Sequence, residues 1–134
     1  MVDDQKISVA GACLHGAESG SMSFPQIVGT LIEAGFEGYL IDYRRSVAIY
    51  YLPDGDSVEL PAHKVEQAVA TAFDAPTVQA AIKEAQRQVP GYTCVDFCGK
   101  TAAAGCAGYI VSFLGRRVLY FGRTAETHVE HFTD

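Results

Sequence analysis

The sequence predicts an α+β domain: helices packed on an antiparallel sheet built from two related helix–β-hairpin units. Three observations lead there. A block of sequence recurs at a fixed offset. Each copy runs from a helical apolar stripe into two β-rich segments. The composition, 49% hydrophobic and 19% charged over 134 residues, is that of a chain able to bury a core.

The recurrence is read by adding 70 to a residue number. "AGFEGYLIDY" starts at Ala34 and "AGCAGYIVSF" at Ala104. Gly29 finds Gly99, Gly38 and Tyr39 find Gly108 and Tyr109, and Tyr50 finds Tyr120. Leu40 with Ile110, Tyr43 with Phe113 and Tyr51 with Phe121 are conservative pairs. The offset holds without a gap from Phe24 to Phe121 and reads as an internal duplication.

Each element then has a local reason. A first helix is expected over about residues 4–17. In the next, Phe24, Ile27, Val28, Leu31, Ile32 and Gly35 follow helical spacing. Ser23 and Gln26 form a capping box, Pro25 suits the first turn, and Gly35 supplies the left-handed stop. "GYLIDY" and "VAIYYL", separated by "RRS", form a hairpin, and "SVELP" adds a short strand. Two linking helices are expected within about residues 62–89. Val65, Ala68, Val69, Ala72 and Phe73 stripe the first. Val78, Ala81, Ile82 and Ala85 stripe the second, which opens at Asp74 and Pro76 and ends at "VPG". In the second copy Cys94, Phe97, Cys98, Thr101, Ala102 and Gly105 take the helical stripe. "GYIVSF" and "RVLYF" make the hairpin around Gly115, and "THVEHF" stands where "SVELP" stood, shifted by one residue. The repeats cover about residues 24–61 and 94–132, and no low-complexity linker divides residues 1–134, so one domain is expected.

A net charge of −6 and scattered basic residues argue against nucleic acid as a partner, because phosphate binding needs a basic face. The start, "MVDDQKISVAG", lacks the apolar run of a signal peptide, and no stretch reaches the apolar length of a membrane span. A cytoplasmic setting with reduced thiols follows as the expectation.

The candidate chemistry is thin. Cys94, Cys98 and Cys106 with His128 and His131 lack the paired CxxC knuckles of a zinc site, and the repeat places the cysteines at apolar positions. No metal and no cofactor are expected. "GKT" at Gly99 lacks the upstream glycine of a phosphate-binding loop. His15 and His63 read as exposed polar residues. "THVEHF" is the richest polar cluster. As a strand it puts His128 and Glu130 on one face, and imidazole beside carboxylate is the raw material of acid–base chemistry. Tyrosines crowd the four hairpin strands and suit either a half-buried sheet or a pocket wall. His128, Glu130, Arg123 and Tyr109 are therefore the candidate ligand-binding residues, with no residue assigned to catalysis.

"FPQIVGTLIEAGFEGYLIDY", "YYLPDG", "FCGKTAAAGCAGYIVSFLGRRVLYFGR" and "HVEHF" together resemble a small bacterial family of unknown function. Some members are labelled phage envelope protein or are encoded in prophages. The resemblance covers about residues 24–132 and departs at the end, where "HFTD" lacks a proline after the phenylalanine. It implies no reaction, cofactor or catalytic residue. The function expected is a small cytoplasmic ligand- or protein-binding or regulatory domain, for which the resemblance suggests a prophage origin. The alternatives are a small enzyme with His128 and Glu130 as an acid–base pair in a tyrosine-lined cleft, and a homo-oligomer whose sheet edges pair.

Overall fold

Local chemistry starts and stops each helix. In the computed structural model, which describes residues 3–87 and 92–132, helix α1 spans Asp4–Ser19 and is capped by the Asp3 carboxylate. Helix α2 spans Phe24–Glu33 and begins with the reciprocal Ser23–Gln26 capping box. It ends in a Schellman motif: the amide of Phe36 donates to Leu31 O and that of Gly35 to Ile32 O, both at 3.0 Å, with Gly35 at φ 98°. Strands β1 (Gly38–Asp42), β2 (Val47–Tyr51) and β3 (Ser57–Pro61) follow. Helix α3 (Ala75–Gln86) is capped by Asp74, and α4 (Cys94–Ala103) by a Thr93–Asp96 box. Strands β4 (Cys106–Ser112), β5 (Arg117–Gly122) and β6 (Thr127–His131) complete the described chain.

All six strands form one antiparallel sheet in the order β3-β2-β1-β4-β5-β6. Its geometry repeats at the sequence offset. Tyr39 pairs with Tyr50 and Tyr109 with Tyr120; Ile49 pairs with Glu59 and Leu119 with Val129. The left-handed residues repeat too: Gly35 and Gly105 at φ 98° and 95°, Ser46 and Arg116 at 54° and 52°, Gly55 and Ala125 at 94° and 66°. At the seam Leu40 faces Ile110. There Tyr43 donates its amide hydrogen to Ala107 O and Phe113 donates to Glu37 O, both at 3.0 Å. The two halves thus exchange equivalent bonds about a local twofold axis through the sheet. Among the described residues only the second half carries a bulge, between Cys106 and Gly108.

Two expectations need correction. Strands β3 and β6 are in step at 70 residues, with no shift: Ser57 corresponds to Thr127 and Pro61 to His131. And only one helix links the halves among the described residues, because residues 62–74 run without helix. The stripe Val65, Ala68, Val69, Ala72 and Phe73 is real as an apolar pattern, but the segment's amide hydrogens are used elsewhere. Ala70 donates to Ala102 O at 3.1 Å, an acceptor shared with the Gly105 amide, and Asp74 donates to Ala104 O at 2.8 Å, so the segment is bonded to the end of α4. A short isolated helix is marginal in water, so those tertiary bonds decide. The "VPG" at residues 89–91 lies outside the described residues.

Alternation splits the sheet into two faces. Tyr39, Ile41, Tyr43, Ala48, Tyr50, Val58, Tyr109, Val111, Val118 and Tyr120 are buried beneath the helices. Leu31, Phe36, Val78, Ile82, Phe97 and Cys98 close the core from the helix side. The opposite face, with Leu40, Ile49, Ile110, Leu119 and Val129 across its middle, is covered by no helix among the described residues.

Candidate functional site

The twofold relation makes departures from it informative. At one end of the molecule the ring of Phe24, opening α2, meets Phe132, just beyond β6, edge to face at 5.7 Å. The corresponding residues at the other end are Cys94, opening α4, and Ala62, just beyond β3. A thiol and a methyl stand where two rings stand in the twin. The space they leave is a narrow cavity of about 10 Å³, room for about one water molecule. Glu18, Tyr43, His63 and Cys98 share its walls.

The cavity has a defined electrostatic character. Cys94 and Cys98 lie one helical turn apart with their sulfurs 3.7 Å from each other. The Cys98 thiol donating to Cys94, joined by the Tyr109 hydroxyl, lowers the Cys94 pKa against the opposing pull of burial. The same bond and its own burial raise Cys98. Across the cavity, Glu18 Oε2 accepts the His63 amide hydrogen at 2.7 Å and stands 3.1 Å from His63 Nδ1. His63 Nε2 is buried with no protein partner among the described residues. The expectation of an exposed His63 is thereby corrected: its side chain is only 20% exposed, because Glu18 of α1 anchors the chain leaving β3.

Tyr43 and Val65 also line a wider, open cleft of about 230 Å³, whose charged residues are Arg44 and Lys64, with Ser46 and Gln67 beside them. Arg44 and Lys64 pair with no carboxylate among the described residues. The nearby acids are occupied. Asp42 accepts the amide hydrogens of Arg44 and Arg45, and Glu18 is held by His63. A chain of net charge −6 thus carries one cleft whose charged walls are both basic.

The residues singled out from sequence are distributed differently. His128 Nε2 and Glu130 Oε1 are 2.9 Å apart on the helix-facing side of β6, half-buried beside Tyr120, whose ring centre is 6.3 Å from the imidazole. Their counterparts in the first half are Val58 and Leu60, so the polar pair replaces an apolar one. Tyr109 is deep in the aromatic core against Tyr39, Tyr43, Phe97 and Tyr120, with its pKa raised by burial. Arg123 sits in the β5–β6 turn and donates to Val69 O and Thr71 Oγ1, both at 3.2 Å, tying down the segment that leads into α3. The structure therefore joins His128 to Glu130, while Arg123 is bonded to Val69 and Thr71 instead.

No helix among the described residues is long and apolar enough to cross a membrane, and no group of three or more His, Cys, Asp or Glu among them is placed to hold a metal ion. No family model matches the chain, and no curated protein matches it.

Proposed function

We propose that this chain is a non-catalytic small-molecule-binding domain that takes an anionic ligand in the cleft of Arg44 and Lys64, with the Cys94–His63 cavity as its inner end. The carrying observation is the broken symmetry. One end of the molecule is filled by Phe24 and Phe132, while Cys94 and Ala62 leave the equivalent end open. Two basic side chains, without carboxylate partners among the described residues, give the opening its sign. At about 230 Å³ the outer cleft is below the range usual for drug-sized ligands, so the ligand is a small metabolite. A half-buried reduced thiol suits a cytoplasmic setting, and the family resemblance supports a prophage origin; neither identifies the ligand. The test is a thermal-shift screen of small carboxylates and phosphate esters, since a ligand binding only the native state raises Tm. At least one anion raises Tm in the native chain and has no effect on the Arg44→Glu, Lys64→Glu double variant. A shift that survives in the double variant, or none across the screen, rejects the proposal.

A second reading, acid–base catalysis by His128 and Glu130, is favoured by their 2.9 Å contact. It requires that an activity, once found, be lost in both His128→Asn and Glu130→Gln while the fold is kept.

A further inference from the structure

We propose that the uncovered face of the sheet is the interface of a homodimer, in which two sheets stack face to face about a twofold axis running along the strands. The middle row of this face reads, from edge to edge, Glu59, Ile49, Leu40, Ile110, Leu119, Val129. Five apolar side chains are thus neighbours on this face, Ile110 and Val129 exposed at 42% and 37% and Leu40, Ile49 and Leu119 half-buried. A contiguous apolar patch of this kind marks an interaction surface. Tyr51, also exposed, and Val47 and Phe121 extend it on either side.

The charges say what covers it. In the middle and neighbouring rows the first half presents Glu59 and Asp42, and the second presents Arg117 and His131. The face is therefore acidic on one side and basic on the other, which complements a second copy of itself. An isologous interface has two simple orientations here. With the axis across the strands, each residue of the middle row meets its own copy, and Glu59 faces Glu59, which repels. With the axis along the strands, strand order is reversed and β3 lies over the partner's β6. Glu59 then faces Val129, Ile49 faces Leu119 and Leu40 faces Ile110. In the flanking rows Tyr51 meets Arg117, a cation–π contact, Ser57 meets His131, and Asp42 meets Gly108, which has no side chain to obstruct it. Apolar groups meet apolar ones across the middle of the face, and the half with Glu59 and Asp42 lies over the partner's half with Arg117 and His131. Aligned sheets stack in this way about 10 Å apart, rotated by about 30° through their twist.

The size of the face sets the strength. Six strands of about five residues give a footprint of about 24 by 17 Å. That is about half of the ~800 Å² per partner of a standard interface, which corresponds to a reversible dimer.

Sedimentation equilibrium over a dilution series tests this, with far-UV circular dichroism confirming the fold of each variant. The native chain is expected to dimerise reversibly. Ile110→Glu, and the milder Ile110→Ser, weaken the dimer, the former by about a hundredfold. Val129→Lys separates the orientations by sign. With the axis along the strands it sets the introduced ammonium group over the partner's Glu59, twice per dimer, and tightens association by about threefold to tenfold. With the axis across them it sets two introduced ammonium groups against each other and weakens association. A native chain that stays monomeric at millimolar concentration, a dimer unaffected by Ile110→Ser, or weakening by Val129→Lys each overturns the proposal. The anion-induced rise in Tm is unaffected by Ile110→Ser, because the cleft lies at the helix-side end of the first half, so failure of the dimer and failure of the binding function are read separately.

Discussion

The ring of Phe24 meets that of Phe132 edge on at 5.7 Å, and no such contact exists where Cys94 and Ala62 take their places. Ala62→Leu partly restores in the first half what the second half already has. It should change stability by no more than about 1 kcal/mol, added apolar burial being offset by crowding in a cavity with room for about one water, and abolish any ligand-induced Tm shift. Urea unfolding with and without the anion measures both. A destabilised variant that still binds would mean that the cavity is not part of the site.

The thiols should separate by reactivity. Cys13, Cys98 and Cys106 are buried; burial raises the pKa of Cys13 and that of Cys106 to about 11, and the bond to Cys94 together with burial raises that of Cys98. Cys94 is half-buried with its pKa lowered by Cys98. Titration with an aromatic disulfide at neutral pH should show one fast thiol per chain, lost in Cys94→Ser, and the remainder only on unfolding. Two fast thiols, or none, would contradict this placement.

His128 and Glu130 occupy the positions of Val58 and Leu60. Replacing a half-buried polar pair by apolar residues is commonly neutral or stabilising. The double variant His128→Val, Glu130→Leu should therefore gain up to about 1 kcal/mol in urea unfolding, a gain discounted because both side chains are partly exposed. A loss of similar size would make the pair a structural element of β6.

Two glycines with nearly equal φ should differ sharply. Gly55 and Gly105 sit at 94° and 95°. A Cβ at Gly55 meets nothing within 4 Å, and its twin is already Ala125. A Cβ at Gly105 would lie 2.0 Å from Ala72 O, in the segment that caps α4. Gly55→Ala should cost about 1–2 kcal/mol, the left-handed penalty alone, and Gly105→Ala about 3 kcal/mol or more. Equal losses in thermal unfolding would refute the close approach.

Alkali should unfold the protein early. Burial raises Tyr39, Tyr43 and Tyr109 well above the ordinary tyrosine value of 10.0, and Cys106 from 9.0 to about 11. The unfolded chain releases these protons first, so the folded state holds more protons as pH rises. Stability is then complete below about pH 9 and falls through and beyond pH 10. Urea midpoints measured from pH 8 to 11 should fall throughout the upper part of that range. A flat profile would show that the phenols ionise without unfolding.

The sheet and both capped α2-type helices were legible because their signals are local: period-two strands, Ser23 with Gln26, and Gly35 at the stop. Residues 62–74 misled because their apolar stripe is helical in spacing, while their amide hydrogens are claimed by Ala102 and Ala104, thirty or so positions away. The cleft was half visible. Cys94 aligns with Phe24 at the 70-residue offset, and a thiol on a helical apolar stripe reads as core unless the position opposite it is known. Keeping "THVEHF" in step with "SVELP" matches Phe132 to Ala62, and the missing pair of rings then shows. The basic walls carried no motif, because Arg44 and Lys64 meet only through the path of the chain after β3.

The seam between β1 and β4 joins residues about seventy positions apart, whereas every other strand pair is a hairpin between sequence neighbours. Hairpins close in microseconds, but joining the seam must first overcome the entropy of a long open loop. The two halves accordingly form their local structure before they meet, and the seam is among the last contacts made. Closing that loop is the costly step, so weakening the row at Leu40 and Ile110 should slow folding as well as hasten unfolding, which the two arms of a chevron plot would read separately.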